Sequence, residues 1–542
     1  MRITNKIMQE NSITNININK IYQDTLTTQM STQKKISRPS EDPVVAIRAL
    51  RLRNNVTEIS QYYSKNIPDA ESWLSVTEDA LKNLTDIVTN MITQATKGSN
   101  GDLTTADRQI ILEQMQALSD EIYHTGDADY AGRYVFTGYR TDTSLSFNEN
   151  QTGISYDITE QLSADDISEV TNVDTGDLLR WNSSNFSSLT GLKEQAVTST
   201  VVHRFQLSYG SLDESSIPTI EVPGKGPGGD YVYDGDGNCV YEELGDINTN
   251  WETVVMHDYA TGIPDKNDPT ITYDNPYAYV AADKDAVVFI PETGELLLGD
   301  NVFDYLKNTS DEASTTVDES QIRVNYRKSN FETGDLRPEH YFYCRSTDPE
   351  GNTIEYNPSY LGVNPTKQAI EYDVGFNQTI RVNSTADECF DPKIGRTVDD
   401  LKNALNTLAD IEKTKNNIEE SLKSASGSDK DTLQAQLDAA GKAYTLAKDK
   451  VQSMFENAIT KFQGFLDDAN LCITNCGTRS KKLELIQTRM QSQKTTFETL
   501  KSENEDVDIT EVAIQLSSAE LTYEASLMAT SKIMQTTLLN FI

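Results

Sequence analysis

Apolar residues recur at helical spacing at both ends of this chain and lose that spacing in the middle, which limits the fold more than any other feature. Between residues 43 and 96, Val44, Ile47, Leu50, Trp73, Leu81, Leu84, Val88 and Met91 form the stripe of a helix that buries one face. Asp42 and Pro43 supply a cap acceptor and a first-turn proline, and Pro68 is expected to kink the helix midway. Gly98-Ser99-Asn100-Gly101 breaks it, a second helix is predicted over 105–124, and Arg133-Tyr134-Val135-Phe136 reads as strand. After Arg396 the helical pattern returns, interrupted at 424–429 by the expected tip of a helical hairpin.

From 143 to 375 the composition changes. Prolines, glycines and tyrosines become frequent, and Tyr231-Val232-Tyr233, Val287-Val288-Phe289-Ile290 and Tyr341-Phe342-Tyr343 alternate with turn dipeptides. The fold class is therefore α+β and multidomain. Amino- and carboxyl-terminal segments form a long antiparallel coiled coil or bundle, and a mostly β insert occupies the centre. The expected parts are terminal helical segments at 1–36 and 510–542, a rod of long helices at 37–142 and 376–509, and the insert at 143–375.

The two ends are expected to pair. Leu516, Ala519, Tyr523, Leu527, Thr530, Met534, Leu538 and Phe541 follow spacings of three and four. Ile3, Ile7, Thr14, Ile18 and Ile21 make a weaker counterpart. The first segment is rich in Asn, Thr, Ser and Ile, whose helix propensity is modest, so it needs a partner surface to order it.

Composition excludes several classes of function. A net charge of −37 repels phosphate backbones and anionic headgroups, which argues against nucleic-acid and membrane partners. Mean hydropathy of −0.53 suits long half-exposed helices. No apolar run is long enough to span a membrane, and residues 1–10 contain no apolar leader core, which by itself reads as cytosolic. Five cysteines give no disulfide framework, and Cys472 and Cys476, four apart on a helix, read as packing residues.

Chemistry-bearing patterns are missing along the chain. His124, His203, His257 and His340 are scattered, and there is neither a His-Glu-x-x-His pair for zinc nor a Gly-x-Ser-x-Gly elbow. No catalytic residue, metal or cofactor is expected. Asp234-Gly235-Asp236-Gly237-Asn238 opens like a calcium loop, but Cys239 and Gly245 stand where the loop needs glycine and glutamate, so a hairpin turn is the reading. Asp348-Pro349-Glu350-Gly351-Asn352 reads as another. Trp181 and Trp251 could stack on sugars, although a β core needs the same residues.

Both ends resemble the bacterial flagellin and hook-associated protein family. The resemblance lies in Gln29-Met30-Ser31-Thr32-Gln33-Lys34-Lys35-Ile36-Ser37-Arg38-Pro39-Ser40-Glu41-Asp42-Pro43, where Gln33 replaces the usual glycine, and in 505–511 with 524–542. Ala131-Gly132-Arg133-Tyr134-Val135-Phe136-Thr137-Gly138-Tyr139 is similar to the hook-associated branch that touches the filament, and 376–384 resembles the strand before the returning helices. The resemblance covers 1–142 and 376–542.

It implies a structural flagellar subunit of the hook-filament junction, with a filament-forming flagellin or an adhesive glycan-binding insert as alternatives. It also implies export without a cleaved signal, which reverses the cytosolic reading, and an extracellular location. The implied partners are further copies of the chain, a neighbouring hook-associated protein, flagellin and an export chaperone. Its subunit-interaction residues would be Ile3, Ile7, Ile18, Ile21, Leu516, Tyr523, Leu527, Met534, Leu538 and Phe541 on terminal polymerisation segments.

Overall fold

The computed structural model describes residues 5–189, 191–226, 230–235, 237–258, 260–266, 268–273, 275–311, 322–361 and 368–535. Its helices are α1 (Asn5–Thr32), α2 (Pro43–Gln61), α3 (Ile67–Gly98), α4 (Thr105–Gly126), α5 (Leu244–Ile247), α6 (Pro276–Ala282), α7 (Asp300–Asp311), α8 (Ala386–Cys389), α9 (Lys393–Ser424), α10 (Ser428–Glu505) and α11 (Ile509–Gln535). Long helices at both ends and sheets in the middle make this the α+β multidomain arrangement read from the sequence. The chain forms two compact units, one of 1–71, 371–380 and 480–542, the other of 72–370 and 381–479.

In the first unit, α2 starts where its cap predicts. Asp42 Oδ1 accepts from the Val44 and Val45 N–H groups at 2.9 and 3.1 Å, with Pro43 opening the helix. The expected kink at Pro68 takes another form: Tyr62–Asn66 make a π-helical turn where α2 gives way to α3. Pro68 has no N–H for the carbonyl four residues back, and the ladder widens just before it, the Ile67 N–H reaching Tyr62 O. A hairpin of β16 (Glu371–Gly375) and β17 (Gln378–Arg381) lies beside this turn. Phe376 meets Tyr62 edge-on at 5.8 Å, and Asn66 Nδ2 donates to Asp373 O at 2.7 Å.

The second unit combines helices with two sheets. A capping box of Thr104 and Asp107 starts α4, and buried Arg108 donates to Gly98 O (3.2 Å) and Asn100 O (3.1 Å), closing the 99–104 loop. A Cβ on Gly98 would lie 2.5 Å from the Phe455 ring, so glycine lets α10 approach here. The expected hairpin tip is present: α9 ends at Ser424, α10 starts at Ser428, and Gly427 takes φ +68°. Leu401, Leu405, Leu408 and Ile411 of α9 and Val451, Phe455 and Phe462 of α10 are buried at the periodicity the sequence shows.

One sheet has six strands in the order β15-β14-β3-β13-β6-β7: β3 (Gln151–Leu162), β6 (Thr219–Pro223), β7 (Tyr241–Glu243), β13 (Ile322–Phe331), β14 (Tyr343–Thr347) and β15 (Thr353–Tyr356). The other has five in the order β4-β5-β12-β11-β8: β4 (Ser168–Asp174), β5 (Thr198–Gln206), β8 (Thr253–Val255), β11 (Val287–Ile290) and β12 (Glu295–Leu298). Neighbouring strands are antiparallel except β8 and β11. Two short hairpins complete the set, β1 (Asp129–Tyr130) with β2 (Arg133–Tyr134) and β9 (Ile263–Pro264) with β10 (Thr272–Tyr273). Both central strands β11 and β12 are buried on both faces; Val288, Ile290 and Leu297 pack on Tyr279 and Val280 of α6.

The two acidic turns behave as hairpins. Asp234 Oδ1 accepts from the Asn238 N–H at 2.8 Å while Val240 N–H reaches Val232 O. Asp348 Oδ1 does the same for Asn352 at the β14–β15 turn. Tyr341 and Phe342, expected in a strand, instead follow a 3-10 turn at Pro338–His340, and pairing starts at Tyr343. Proline favours such a turn, and the Phe342 N–H bonds Pro338 O. All five cysteines are buried; Cys476 Sγ lies 3.5 Å from Leu74 O and Cys472 Sγ 3.1 Å from Glu388 O. No helix among the described residues is long and apolar enough to cross a membrane.

Candidate subunit-interaction surface

Helices α1 and α11 pair within the first unit, as the patterning at the chain ends predicts. The buried contact is small. Leu26, 2% exposed, meets Val512 and Ala519, flanked by Val507 and Leu516. Along α1 the inward positions are Ser12, Ile16, Asn19, Gln23 and Leu26, alternating by four and three residues; Asn19 Nδ2 donates to Ser526 Oγ at 3.0 Å. Along α11 they are Val512, Leu516, Ala519, Tyr523, Ser526 and Thr530, with the same alternation. Small and polar residues thus fill much of the seam.

Where the residues expected on the interaction surface fall is informative. Leu516 and Tyr523 are half-buried. Ile7, Ile18 and Ile21, read as the counterpart of the carboxyl-terminal seam, are instead 47, 58 and 67% exposed, and Leu527 is also exposed. Ile7, Ile18 and Ile21 lie on the side of α1 away from Ile16 and Leu26, because each falls between the positions of the inward four-and-three series and not on them. Ile3, Leu538, Phe541 and the side chain of Met534 lie outside the described residues. The sequence reading missed Ile13 and Tyr22 on α1 and Ile514, Leu521 and Met528 on α11, all exposed. The last three recur every seven residues, which could have marked them as one stripe. Tyr22, Ile514, Ser518 and Thr522 line a groove of about 350 Å³ along the pair.

A polar junction fixes the end of this pair. Gln33 takes φ +59°, in the left-handed region that favours glycine, which gives a physical reason for glycine at this place in the resembling sequences. Beyond it Lys34 bridges Asp506, the Lys35 N–H donates to Glu505 O at 2.8 Å, and the Val507 N–H donates to Gln33 O at 3.2 Å. Arg53 of α2 donates through Nε and Nη2 to the Glu505 carboxylate at 2.6 and 2.7 Å, while Lys34 stands 3.6 Å from it. These hydrogen bonds from Arg53 hold the Glu505 carboxyl below its usual range, and Lys34 does the same for Asp506. The chain reversals after α1 and before α11 are thereby fastened to α2.

In the second unit, charge gathers between the five-stranded sheet and α9. Buried Arg204 of β5 is shared by Glu295 and Asp400, Tyr277 Oη donates to Glu295 at 2.6 Å, and Gln206 Nε2 to Asp400 at 2.9 Å. The polar groups of this cluster are mutually satisfied, so it orients the sheet on the helix beside a cavity of about 600 Å³. The histidines remain dispersed: His203 stacks on Phe303 at 3.8 Å, His340 is buried against Ser144 O at 3.1 Å, and His257 Nδ1 is hydrogen-bonded to Glu292 Oε1 at 2.6 Å.

The bacterial flagellin N-terminal helical region matches residues 3–141. Over that stretch, about a quarter of its length, the chain is similar to the bacterial flagellin family. Flagellar hook-associated protein 3 of Salmonella typhimurium is 29% identical over 145 residues, covering 27% of this chain and 45% of that protein. The protein of the same description from Escherichia coli is 30% identical over the same coverage. The chain therefore spans just under half the length of these curated relatives. The crystal structure of flagellar hook-associated protein 3 from Legionella pneumophila aligns over 83% of this chain and 97% of its own, at 10% identity and a TM-score of 0.27. The family match falls on α1 to α4 and the β1–β2 hairpin, which contain the Pro-Ser-Glu-Asp-Pro turn and the Ala131–Tyr139 segment on which the sequence resemblance rests.

Proposed function

We propose that this chain is a structural subunit of the bacterial flagellum, a hook-associated protein at the junction of hook and filament. The observation that carries the reading is the match of residues 3–141 to the flagellin N-terminal region, joined by 29–30% identity over 145 residues to hook-associated protein 3. Segments 1–36 and 510–542 are the polymerisation ends in this reading, 37–142 and 376–509 the rod, and 143–375 the insert. Export precedes assembly outside the cell, and a cytoplasmic chaperone covers the carboxyl-terminal helix beforehand. On capture, exposed stripes that include Ile7, Ile18, Ile21, Leu521 and Leu527 are buried against copies of the chain, a neighbouring hook-associated protein and flagellin. Apolar burial drives the step at about 25 cal/mol per Å², so neither catalysis nor a nucleotide is needed.

Deleting the gene should leave hooks without filaments and flagellin in the medium, restored by the wild-type chain; normal filaments in the deletion strain would refute the assignment. A filament-forming role is the second reading, favoured by 29% identity over 122 residues to a flagellin of Clostridium tyrobutyricum. Purified chain that grows long filaments unaided would favour it.

A further inference from the structure

Three loops of the second unit bring Glu214, His257 and Glu292 together, with one potential ligand atom from each lying within 4.8 Å of the others. The loops are fastened to one another. Ser211 N–H donates to Glu292 O at 3.1 Å and Leu212 N–H to Pro291 O at 2.9 Å, tying the Glu214 loop to the β11–β12 turn. Met256 N–H donates to Phe289 O at 2.9 Å, fixing the chain that presents His257. Gly294, at φ +63°, closes the β11–β12 turn through Ile290 O and sits so close to Tyr209 that a Cβ would lie 2.0 Å from its carbonyl. Arg396 caps the same turn at Thr293 O. The three side chains therefore project from a rigid frame, the condition for a site formed before its ligand arrives.

The polar bookkeeping of the cluster is incomplete. Glu292 Oε1 is bonded to His257, but its Oε2 is enclosed and has no hydrogen-bond partner among the described residues. An enclosed carboxylate oxygen without a donor is costly. Glu214 adds a second carboxylate, so a neutral ring leaves two negative charges facing each other.

We propose that Glu214, His257 and Glu292 bind one divalent transition-metal cation, with Zn²⁺ the best-matched ion. The imidazole is a borderline donor that suits Zn²⁺ and not Ca²⁺, the two carboxylates are hard donors that Zn²⁺ and Mn²⁺ both accept, and the affinity order places Zn²⁺ above Mn²⁺. Zinc takes nitrogen and oxygen ligands at about 2.0–2.2 Å, so the side chains need contract only modestly, and exposed Glu214 is free to do so. Glu292 Oε2 gains its missing partner, the proton between His257 Nδ1 and Glu292 passes to solvent while a neutral ring takes one up at Nε2, and water completes the shell. The site pins the Glu214 loop and the end of β8 to the β11–β12 turn. It is independent of the flagellar assignment.

The test uses untagged full chain, stripped with EDTA and titrated with ZnCl₂ by calorimetry, with metal content measured after dialysis. One Zn²⁺ per chain and a melting temperature that rises with Zn²⁺ are expected. Glu214→Gln and His257→Gln should each weaken binding at least about tenfold while melting like the parent in EDTA. No saturable Zn²⁺ binding overturns the proposal. So does binding that survives both substitutions, or Ca²⁺ bound as tightly as Zn²⁺, either of which marks a generic acidic surface.

Discussion

Replacing Glu505 by alanine should loosen the junction of the terminal helices without unfolding the rest of the chain. The Glu505 side chain is 4% exposed and accepts two hydrogen bonds from Arg53, with Lys34 at 3.6 Å. Hydrogen bonds to charged groups contribute about 1.5–3 kcal/mol. Arg53 is 54% exposed, however, so on losing its partner it recovers water, and the net loss is about 2 kcal/mol. A whole-chain melt is a poor readout, because a chain of two compact units need not unfold in one step. Hydrogen exchange followed by mass spectrometry is better. Peptides spanning 29–36 and 502–512 should exchange roughly thirtyfold faster in the variant, whereas β3 and β13 should be unchanged. The pH dependence follows from the sign of the shifts. Glu505 and Asp506 have depressed pKa values when folded, so their contribution is present above the unfolded value of about 4.3 and 3.9 respectively, and is lost as pH falls through the folded values. The gap between parent and variant should accordingly shrink on acidification below about pH 4. Equal exchange in the two proteins at neutral pH, or acceleration spread evenly along the chain, would refute the argument.

Leu26→Ala should cost about 2–5 kcal/mol of α1–α11 pairing and speed tryptic cleavage at Lys6 and Lys20, read by mass spectrometry. Leu527→Asp, at a residue 44% exposed, should shift monomer stability by less than about 0.5 kcal/mol yet prevent incorporation into flagella; a large loss of melting temperature would place Leu527 in the chain's own core. His340 is held neutral by burial, its pKa lowered to about 4, so the unfolded chain takes the proton first as pH falls from 6.5. Stability from urea titration should drop by up to about 3 kcal/mol over that interval, and His340→Gln should flatten the slope. All five cysteines are buried, so a thiol reagent should react slowly with native protein and with five thiols per chain in denaturant.

The helices were legible because their signals are local. Asp42 with Pro43, Gly427 at the hairpin tip and the buried 3-4 spacing of α9 and α10 each act within a turn or two. Strands were legible as segments and illegible as a sheet. Nothing in Val287–Ile290 says that it pairs with both β8 and β12, because register depends on partners far along the chain. Cys472 was read beside Cys476, whereas its Sγ lies against the Glu388 carbonyl, next to Cys389. The Glu214, His257 and Glu292 cluster escaped a search for ligand spacing for the same reason, since its members sit on three separate loops.

The terminal pair departs from expectation in a more instructive way. A count of apolar residues on α1 selects Ile7, Ile18 and Ile21, because its inward register offers only Ile16 and Leu26 among Ser12, Asn19 and Gln23. A helix pair stabilised only by itself would place its larger apolar side chains inside. Here the outer stripe of α1, with Ile13 and Tyr22, and that of α11, with Ile514, Leu521 and Met528, are the more apolar faces. Exposed apolar surface of this kind marks an interaction site. The inner seam is left to a small core, the Asn19–Ser526 hydrogen bond and the Arg53–Glu505 junction, which are enough to set the two helices in register. Hydrophobicity therefore pointed to the exposed face, which is the one covered on assembly in the function proposed above, and the less apolar face, with its polar clasp, does the pairing within the chain.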